Sequence, residues 1–374
     1  MHHKFNDIRP FCTSEIPEAM QVIAESEHFE LLARYIFPDR DVEEVREMIR
    51  TIRTTDEFQL NVMYYVNEQI VRRSITRLTQ NSFAHLDPRK PYLFVSNHRD
   101  IMLDSSLLQY ILHINGFRTT EITFGSNLMR EALVTNIGRA NKMFKVIRSS
   151  NLHDFLKNSM LLSEYIRHTL TQKGESVWIA QRNGRTKDGH DATDQGMIKM
   201  FCMSDKSDLP RSVGELNIVP MAISYQIEPC DILKTRELYL SQGGEKYVKQ
   251  PDEDMNSILT GIMQPKGRVH LSLGNPITYE QLPSGQRHAN EFYKGVASLI
   301  DKQIYAHYKL YDNNYIAHDM RSGTSTYADR YTLEAKKIFE ERCKAMLQQL
   351  VCDRSTLLNI FLGIYANPVD NAPK

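Results

Sequence analysis

Apolar residues in the first 85 positions recur at intervals of three and four, the spacing of one face of an α-helix. The two clearest series are Val42, Val45, Ile49 and Ile52, and Phe58, Val62, Val66 and Ile70. The pattern predicts a helical N-terminal section over residues 1–87. Nothing in this section has the residue types or spacing of a reaction centre.

From residue 88 to 280 the pattern changes to short apolar runs that alternate with helical stretches, which is typical of α/β proteins. The candidate strands are Tyr92–Ser96, Ile122–Phe124, Phe144–Ile147, Ser176–Ala180, Ile218–Ser224 and Val269–Leu273. Candidate helices lie near 103–114, 127–137 and 151–172. The middle of the chain is therefore predicted to be an α/β core.

Residues 281–374 return to a helical pattern and form the predicted helical C-terminal section. The segment Leu357–Tyr365 within it is densely apolar. Such a helix either packs on a protein core or dips into a lipid interface, and core packing is the more common outcome. No run of about 18 apolar residues occurs, so the sequence predicts no spanning helix.

Charge narrows the range of partners. The chain has 46 Lys and Arg residues against 46 Asp and Glu residues, so its formal net charge is zero. A nucleic-acid-binding protein is expected to carry a basic face or basic runs, so no nucleic-acid partner is predicted. An anionic ligand would have to be held by a local cluster of cations.

The five cysteines are scattered along the chain without a Cys-x-x-Cys pair. This arrangement indicates neither a disulfide framework nor a zinc site, and a reducing cytoplasm is the simplest location. The N-terminus lacks a basic start followed by an apolar stretch, so no signal peptide is predicted.

The segment Ser96–Asp104 directly follows a predicted buried strand and contains His98, Asp100 and Asp104. A histidine titrates near neutral pH, and a carboxylate on one ring nitrogen leaves the other free to accept a proton. The pattern therefore suits a general base. The alternative interpretation is a loop histidine, with Asp100 capping the next helix.

Three later segments have residue types suited to a ligand site. Arg148 closes a predicted strand, and arginine binds phosphate through two parallel hydrogen bonds. The turn over 182–189 contains Gly184, which lets the backbone approach a ligand, and the cations Arg185 and Lys187. Pro220 lies inside the run Ile218–Ser224, and proline is ordinarily tolerated at an edge or at the start of a strand.

A polar cluster follows this turn, consisting of Asp188, His190, Asp191 and Asp194. Oxygen and nitrogen ligands at such spacing are able to bind a divalent metal. If His190 and Asp191 joined His98, Asp100 and Asp104 around one metal, the chain would be a metal-dependent hydrolase. A solvated loop is the more common structure for such a run, so no metal site is predicted.

The order and spacing of these segments resemble the glycerolipid acyltransferase superfamily, which includes glycerol-3-phosphate and lysophosphatidic acid acyltransferases. Its first block is Asn-His with an aspartate after four residues, whereas five residues separate His98 from Asp104. The Gly, Arg and Ser of its third block, Glu-Gly-Thr-Arg-Ser, align with Gly184, Arg185 and Thr186 if this loop is one residue shorter. The family glutamate then falls on Asn183, whereas a gapless alignment puts Arg182 there. The resemblance covers residues 85–280, and both helical sections lie outside it.

This resemblance implies a mixed sheet flanked by helices and an O-acyltransferase of phospholipid biosynthesis. His98 is expected to act as general base, oriented by Asp104 or, as the second choice, by Asp100. Arg148 and Arg185 are expected to hold the phosphate of the acceptor. The departures at the Asp104 spacing and at the family glutamate leave open a catalytically weak lipid-binding protein.

The resemblance also implies the remaining parts of the site. Lys187 is expected to give outer support to the acceptor, beside Asn183, Gly184 and Thr186, and Pro220 to line the acyl pocket. The acyl donor is expected to be acyl-ACP or acyl-CoA, with no metal or organic cofactor. The expected acceptor is glycerol-3-phosphate, 1-acylglycerol-3-phosphate or a related lyso-lipid, or an acylated amino acid. Such substrates imply a cytoplasmic protein that attaches peripherally to the inner membrane surface.

Overall fold

The computed structural model of the chain describes residues 2–129, 131–147, 151–242, 247–250, 252–285, 288–350 and 352–373. Its strands are β1 Ile75–Gln80, β2 Leu93–Ser96, β3 Glu121–Gly125, β4 Met143–Val146, β5 Val177–Ala180, β6 Ile218–Tyr225 and β7 Gly267–Leu273. They form one seven-stranded sheet in the order β1-β7-β6-β2-β5-β3-β4. The sheet is mixed, as the resemblance implied, because β7 runs antiparallel to β6 while β1 runs parallel to β7.

The α-helices of the described residues are α1 Ile16–Ala24, α2 Phe29–Ile36, α3 Val42–Thr51, α4 Thr55–Phe58, α5 Tyr64–Ser74, α6 Leu103–Ile114, α7 Ala132–Ala140, α8 Leu152–His168, α9 Gln195–Phe201, α10 Leu209–Gly214, α11 Asp231–Leu240, α12 Glu253–Met263, α13 Ala289–His307, α14 Asp312–Ser322, α15 Leu333–Gln349 and α16 Arg354–Asn371. Two short π-helical segments, Gln59–Met63 and Thr169–Lys173, continue α4 and α8. Within the described ranges, none of the helices has the length and apolar character needed to cross a bilayer.

Strand β1 corrects the prediction of a wholly helical N-terminal section. Helix α5 ends at Ser74, where Ile75 turns into an extended conformation and pairs with Gly267 of β7. The amide of Lys266 donates to the Ser74 carbonyl at 2.7 Å and joins the two segments. The pairing partner lies about 190 residues along the chain, so the local periodicity before Ser74 carries no sign of it.

The predicted helix over 127–137 begins later than expected. A 3₁₀ turn, Ser126–Leu128, comes first, and α7 follows from Ala132 to Ala140. The helix predicted over 151–172 corresponds to α8 and its π-helical continuation, which stops at Gly174 in the left-handed region, with φ of 64°. Glycine carries no Cβ, so it adopts this conformation without strain.

Two layers of helices enclose the sheet. Helices α8, α9 and α13 bury apolar side chains against one face, and α5 and α6 pack on the other. The N-terminal helices form a separate apolar cluster with α7, and α14, α15 and α16 form another beside α11. The apolar run Leu357–Tyr365 lies in α16 with Leu357, Phe361 and Tyr365 buried, so it packs in this cluster.

Strand direction determines where a ligand site can form. Strands β6, β2, β5, β3 and β4 run parallel, so their carboxyl ends meet at one edge of the sheet. Strand β7 begins at this same edge, since Tyr225 near the end of β6 pairs with Val269. In open α/β sheets, ligands bind outside the carboxyl ends of the strands.

Candidate active site

His98 follows β2 and contacts a carboxylate in the first turn of α6. Its Nδ1 lies 2.9 Å from Oδ2 of Asp104, which is fully buried. The same oxygen accepts the backbone amides of Arg99 at 2.6 Å and Asp100 at 2.9 Å, and the Tyr225 hydroxyl donates to Oδ1 at 2.8 Å. Burial and the neighbouring Asp104 raise the pKa of Tyr225 well above its usual value. Four hydrogen bonds therefore hold the Asp104 carboxylate in place beside the imidazole.

Asp100, the second-choice partner of His98, lies elsewhere in the turn. Its Oδ1 accepts the amides of Met102 and Leu103, both at 2.9 Å, and so caps the start of α6. Its Oδ2 packs against Gly261 of α12 so closely that a Cβ there would overlap it. Burial raises the pKa of Asp100, and the negative charge of Asp104 adds to that rise. Of the two carboxylates, only Asp104 hydrogen bonds with His98 in the structure.

The His98 ring has one nitrogen engaged and one available. Its side chain is 13% exposed, and it meets Trp178 edge-on at a centroid distance of 5.7 Å. The indole Nε1 of Trp178 donates to the Ser96 hydroxyl at 3.2 Å, which fixes the plane of the indole. Among the residues that the structure describes, none forms a hydrogen bond with Nε2 of His98. With Nδ1 donating to Asp104, Nε2 is the nitrogen that accepts a proton.

The glycine-containing turn after β5 is attached directly to the His98 turn. The backbone amide of Thr186 donates to the carbonyl of His98 at 2.7 Å. Gly184 and Gly189 each adopt a φ of 81°, and a Cβ on Gly189 would overlap the carbonyl oxygen of Ile364 in α16. This close approach of two backbones explains why glycine is required at position 189.

The predicted cations of this turn have different environments. The NH1 group of Arg185 is buried and has no hydrogen-bond partner among the described residues. Its charge offsets part of the rise in the pKa of Asp100, so the two side chains lie near each other. Lys187, in contrast, forms an ion pair with Glu237 of α11. Asn183, at the position of the family glutamate, is exposed.

Arg148 and Pro220 were also predicted to belong to the site. Arg148 lies outside the described residues. Pro220 lies in an interior strand rather than at an edge, and its carbonyl accepts the Gly274 amide just where the ladder between β6 and β7 ends. Since side chains alternate along a strand, Pro220 shares its face with Ile218 and Ala222. Val219, Met221 and Tyr225 occupy the opposite face, toward Asp104.

The polar cluster after the turn does not converge. Asp194 caps α9 through the Gly196 amide at 2.7 Å, Asp188 accepts the His190 amide at 3.0 Å, and Asp191 points into the interior. In the described part of the chain, no three His, Cys, Asp or Glu side chains are grouped as a metal site requires. Each member of the cluster therefore has a separate structural position.

Several residues around His98 were not anticipated from the sequence. Tyr225 bonds to Asp104 from a strand 121 residues away in sequence. Arg99 is fully buried beside His98, although arginine in a loop is ordinarily exposed. The sequence offers no local sign of either contact, because both depend on how distant strands and loops come together.

Comparisons with known proteins leave the family of the chain open. No protein-family model and no curated protein sequence matches it. A structure search finds similarity to the 1-acyl-sn-glycerophosphate (LPA) acyltransferase PlsC from Thermotoga maritima, at 12% sequence identity and a TM-score of 0.34. The match covers 78% of this chain and 95% of that one. A TM-score this low carries no weight, so the chemistry of the chain rests on its own side chains.

Proposed function

We propose that the chain is an O-acyltransferase that moves a fatty acyl group from a thioester to a hydroxyl. The observation that carries this proposal is the 2.9 Å contact between Nδ1 of His98 and the buried carboxylate of Asp104. It leaves Nε2 free at the edge of the sheet where ligands bind. A buried carboxylate behind an imidazole both fixes the tautomer and stabilises the imidazolium once it forms.

The proposed reaction has two proton transfers, both at Nε2 of His98. Nε2 takes the proton of the acceptor hydroxyl while its oxygen attacks the thioester carbonyl, and a C–O bond forms. As the tetrahedral intermediate collapses, the C–S bond breaks and the thiolate recovers the proton from the imidazolium. An ester and a free thiol result, and no oxidant, metal or organic cofactor enters the balance. Asp104 orients the imidazole and stabilises the imidazolium electrostatically, and it takes no proton from it.

The proposed acceptor bears an anionic group, in glycerol-3-phosphate, 1-acylglycerol-3-phosphate or a related lyso-lipid. This choice of acceptor is supported by the NH1 group of Arg185, which has no partner among the described residues. Arg185 lies in the turn that is hydrogen-bonded to the His98 carbonyl through the Thr186 amide. A guanidinium with spare donors suits phosphate. Arg148 is proposed as a second holder of the phosphate on the sequence resemblance alone. Lys187 is proposed to give outer support to the acceptor site, and its ion pair with Glu237 is consistent with a role in holding this turn.

The proposed donors, acyl-ACP or acyl-CoA, and the lipid acceptors imply work at a cytoplasmic membrane surface. Exposed apolar side chains lie at the edge of the sheet where His98 is found. In α12, Met255, Leu259 and Met263 recur at every fourth position, at 40%, 48% and 66% exposure. Leu152 and Phe155 are exposed in the first turns of α8, which follows the end of β4. We propose that these side chains contact the bilayer.

The test is release of free thiol from acyl-CoA and acyl-ACP, each with every proposed acceptor in turn. We expect acceptor-dependent release by the wild-type chain, and a loss of about 10²- to 10⁴-fold in His98→Ala, the usual contribution of a general base. His190→Ala is the matched control, because this exposed histidine lies in a neighbouring loop. It should retain wild-type activity.

Each outcome discriminates among the functions. A His98→Ala variant that keeps full acyl transfer would overturn the mechanism. Binding of acyl donors without turnover on any acceptor would instead indicate a catalytically weak lipid-binding protein. In that case the Asn183→Glu variant, which restores the family glutamate, is the next protein to measure.

A further inference from the structure

Asn97, the residue before His98, is hydrogen-bonded through both the oxygen and the nitrogen of its side-chain amide. Its Oδ1 accepts the Ile223 amide at 2.8 Å, and its Nδ2 donates to the Ile223 carbonyl at 3.0 Å. The same Nδ2 lies 3.3 Å from Oδ2 of Asp191. The Asn97 side chain is fully buried, so these bonds face no competition from water.

Arg99, the residue after His98, forms more hydrogen bonds, although its Nε has no partner among the described residues. Its guanidinium donates to Oδ2 of Asp191 at 2.7 Å and, less closely, to Glu228 and the Gly189 carbonyl, each at 3.3 Å. The ammonium of Lys234 donates to the Arg99 carbonyl and to Glu228, both at 2.6 Å. Two cations and two carboxylates thus neutralise one another in the interior, and all four are buried.

Asp191 is the group that these two arrangements share. A single oxygen, Oδ2, accepts from both residues that flank His98. Burying four charges is costly, and apolar residues of similar size often give equal or greater stability. Stability alone therefore does not account for placing Arg99 and Asp191 here.

We propose that Asp191 is a positioning residue that fixes the backbone on both sides of His98 and so sets the direction of Nε2. This inference rests on the proposed acyltransferase function. It assigns Asp191 a role outside metal binding, acting through Asn97 and Arg99 without touching the substrate. A misplacement of about 1 Å in such a group lowers the rate by about 10²-fold.

The key variant is Arg99→Met/Asp191→Leu. Asp191→Asn alone leaves the Arg99 guanidinium short of one carboxylate, which destabilises the fold. The double variant removes both charges and keeps the Lys234–Glu228 pair, so it should fold with a melting temperature near that of the wild type. We expect kcat to fall about 10²-fold, with KM for the acceptor within about threefold of wild type, because the Arg185 side chain is unchanged.

Asp188→Asn is the matched control. It makes an Asp-to-Asn change three residues away, at an exposed side chain whose Oδ1 only accepts the His190 amide. Its kcat should equal that of the wild type. A folded double variant with kcat within about threefold of wild type would overturn the positioning role, as would equal losses of kcat in the double variant and in Asp188→Asn.

A second readout does not depend on turnover. The hydrogen-bonded Nδ1 proton of His98 is observable by NMR and is assigned by its absence in His98→Ala. We expect its resonance to shift or broaden in the double variant and in Asp191→Asn, and to stay unchanged in Asp188→Asn. An unchanged resonance in both Asp191 variants would overturn the proposal. If the wild-type chain transfers no acyl group, the proposed function fails while this measurement still decides the role of Asp191.

Discussion

The two turns that meet at the candidate site differ in how completely their polar groups are satisfied. In the turn after β2, the Asp104 carboxylate accepts four hydrogen bonds, and Arg99 is bonded through its amide, its carbonyl and two nitrogens of its guanidinium. The Nε of Arg99 and Oδ2 of Asp100 are the atoms of this turn that are buried without a partner among the described residues. In the turn after β5, the side-chain amide of Gln181, the NH1 of Arg185 and the hydroxyl of Thr186 are buried without a partner among the described residues.

This difference suggests that one turn carries the reaction centre and the other binds the acceptor. A buried polar group without a partner costs free energy, so an arrangement that keeps several of them is costly unless a ligand completes it. In the turn after β2, the groups that hold the His98–Asp104 pair have their partners within the protein. The turn after β5 has donors left over for an anion. We interpret the first as the reaction centre, built in advance, and the second as the place where the acceptor binds.

Asp104→Asn is the most direct test of whether the turn after β2 is the reaction centre. The amide oxygen can still accept the two backbone amides, and the new NH₂ group can donate to Tyr225, so the geometry should survive. Only the negative charge behind the imidazole is lost. We expect kcat to fall by about 10⁴-fold, because the carboxylate no longer fixes the tautomer of His98 or stabilises the imidazolium.

Thiol release and thermal unfolding, measured on the same preparation, check this expectation. Tyr225→Phe is the companion variant, since it removes one neutral hydrogen bond to Asp104 and keeps the charge. It should cost far less activity. An Asp104→Asn protein within tenfold of the wild-type kcat would contradict the assignment of the first turn.

Gly189→Ala probes how tightly the second turn is attached to the fold. Its φ of 81° strains any residue with a Cβ, and the added methyl would overlap the Ile364 carbonyl. We expect the free energy of unfolding to drop by about 3 kcal/mol, as for other severe backbone clashes. Gly184→Ala has the same φ of 81° with open space around it, so it should cost only about 1–2 kcal/mol.

Denaturant titration of both glycine variants gives the two values side by side. Their difference isolates the steric contact with α16 from the backbone strain. Equal losses of stability in the two variants would show that Gly189 does not pack against Ile364 as the structure has it.

Arg185→Gln tests whether the turn after β5 binds the acceptor. It removes a cation that has a free donor and leaves the His98–Asp104 pair in place. We expect KM for the anionic acceptor to rise about 10- to 100-fold, the scale of one charge-assisted hydrogen bond of about 1.5–3 kcal/mol. The change in kcat should be much smaller.

Lys187→Gln provides the control, because Lys187 is already engaged with Glu237. Its KM should stay within about threefold of wild type. Steady-state kinetics with the acceptor varied at saturating donor separates the two variants. Similar KM values for both variants would contradict the assignment of acceptor binding to Arg185 rather than Lys187.

The smallest expected effect is that of replacing Asp100, which caps the start of α6 in the turn after β2. Burial raises the pKa of Asp100 above its unfolded value, so the folded protein holds this proton more tightly and wild-type stability falls as pH rises through that interval. Asp100→Asn keeps the cap oxygen and does not titrate. Its stability should exceed that of wild type at neutral pH by on the order of 1 kcal/mol.

Urea unfolding from pH 3 to pH 8 tests this expectation. The two proteins should differ least at low pH, where Asp100 is protonated in both folded and unfolded chains. The gap should open as pH rises above about 3.9, the ordinary aspartate pKa. Parallel stability curves over the whole range would contradict the raised pKa.

Sequence patterns predicted those parts of the fold that depend on near neighbours. Six of the seven strands and α6 were predicted because each is a local run of buried or periodic apolar residues. Strand β1 was missed because Ile75–Gln80 forms a strand through its pairing with β7, far along the chain. The interior position of Pro220 depends likewise on where the β7 ladder ends.

The candidate site divides in the same way. His98 and Asp104 were both predicted, since they are six residues apart on a strand-to-helix turn. Arg99, within that turn, sends its side chain into the interior toward Asp191 and Glu228. A single sequence contains no sign that an arginine at this position is neutralised by carboxylates 92 and 129 residues away.

Helix α16 has a consequence for how the protein fails on heating. The Tyr365 hydroxyl accepts the Glu228 amide at 3.1 Å and donates to Asp231 at 2.6 Å, while the backbone at Ile364 lies against Gly189. Detaching one helix opens fewer contacts than unfolding the whole chain. We expect turnover to cease at a temperature where most helices remain intact, so that heat inactivation precedes the loss of secondary structure.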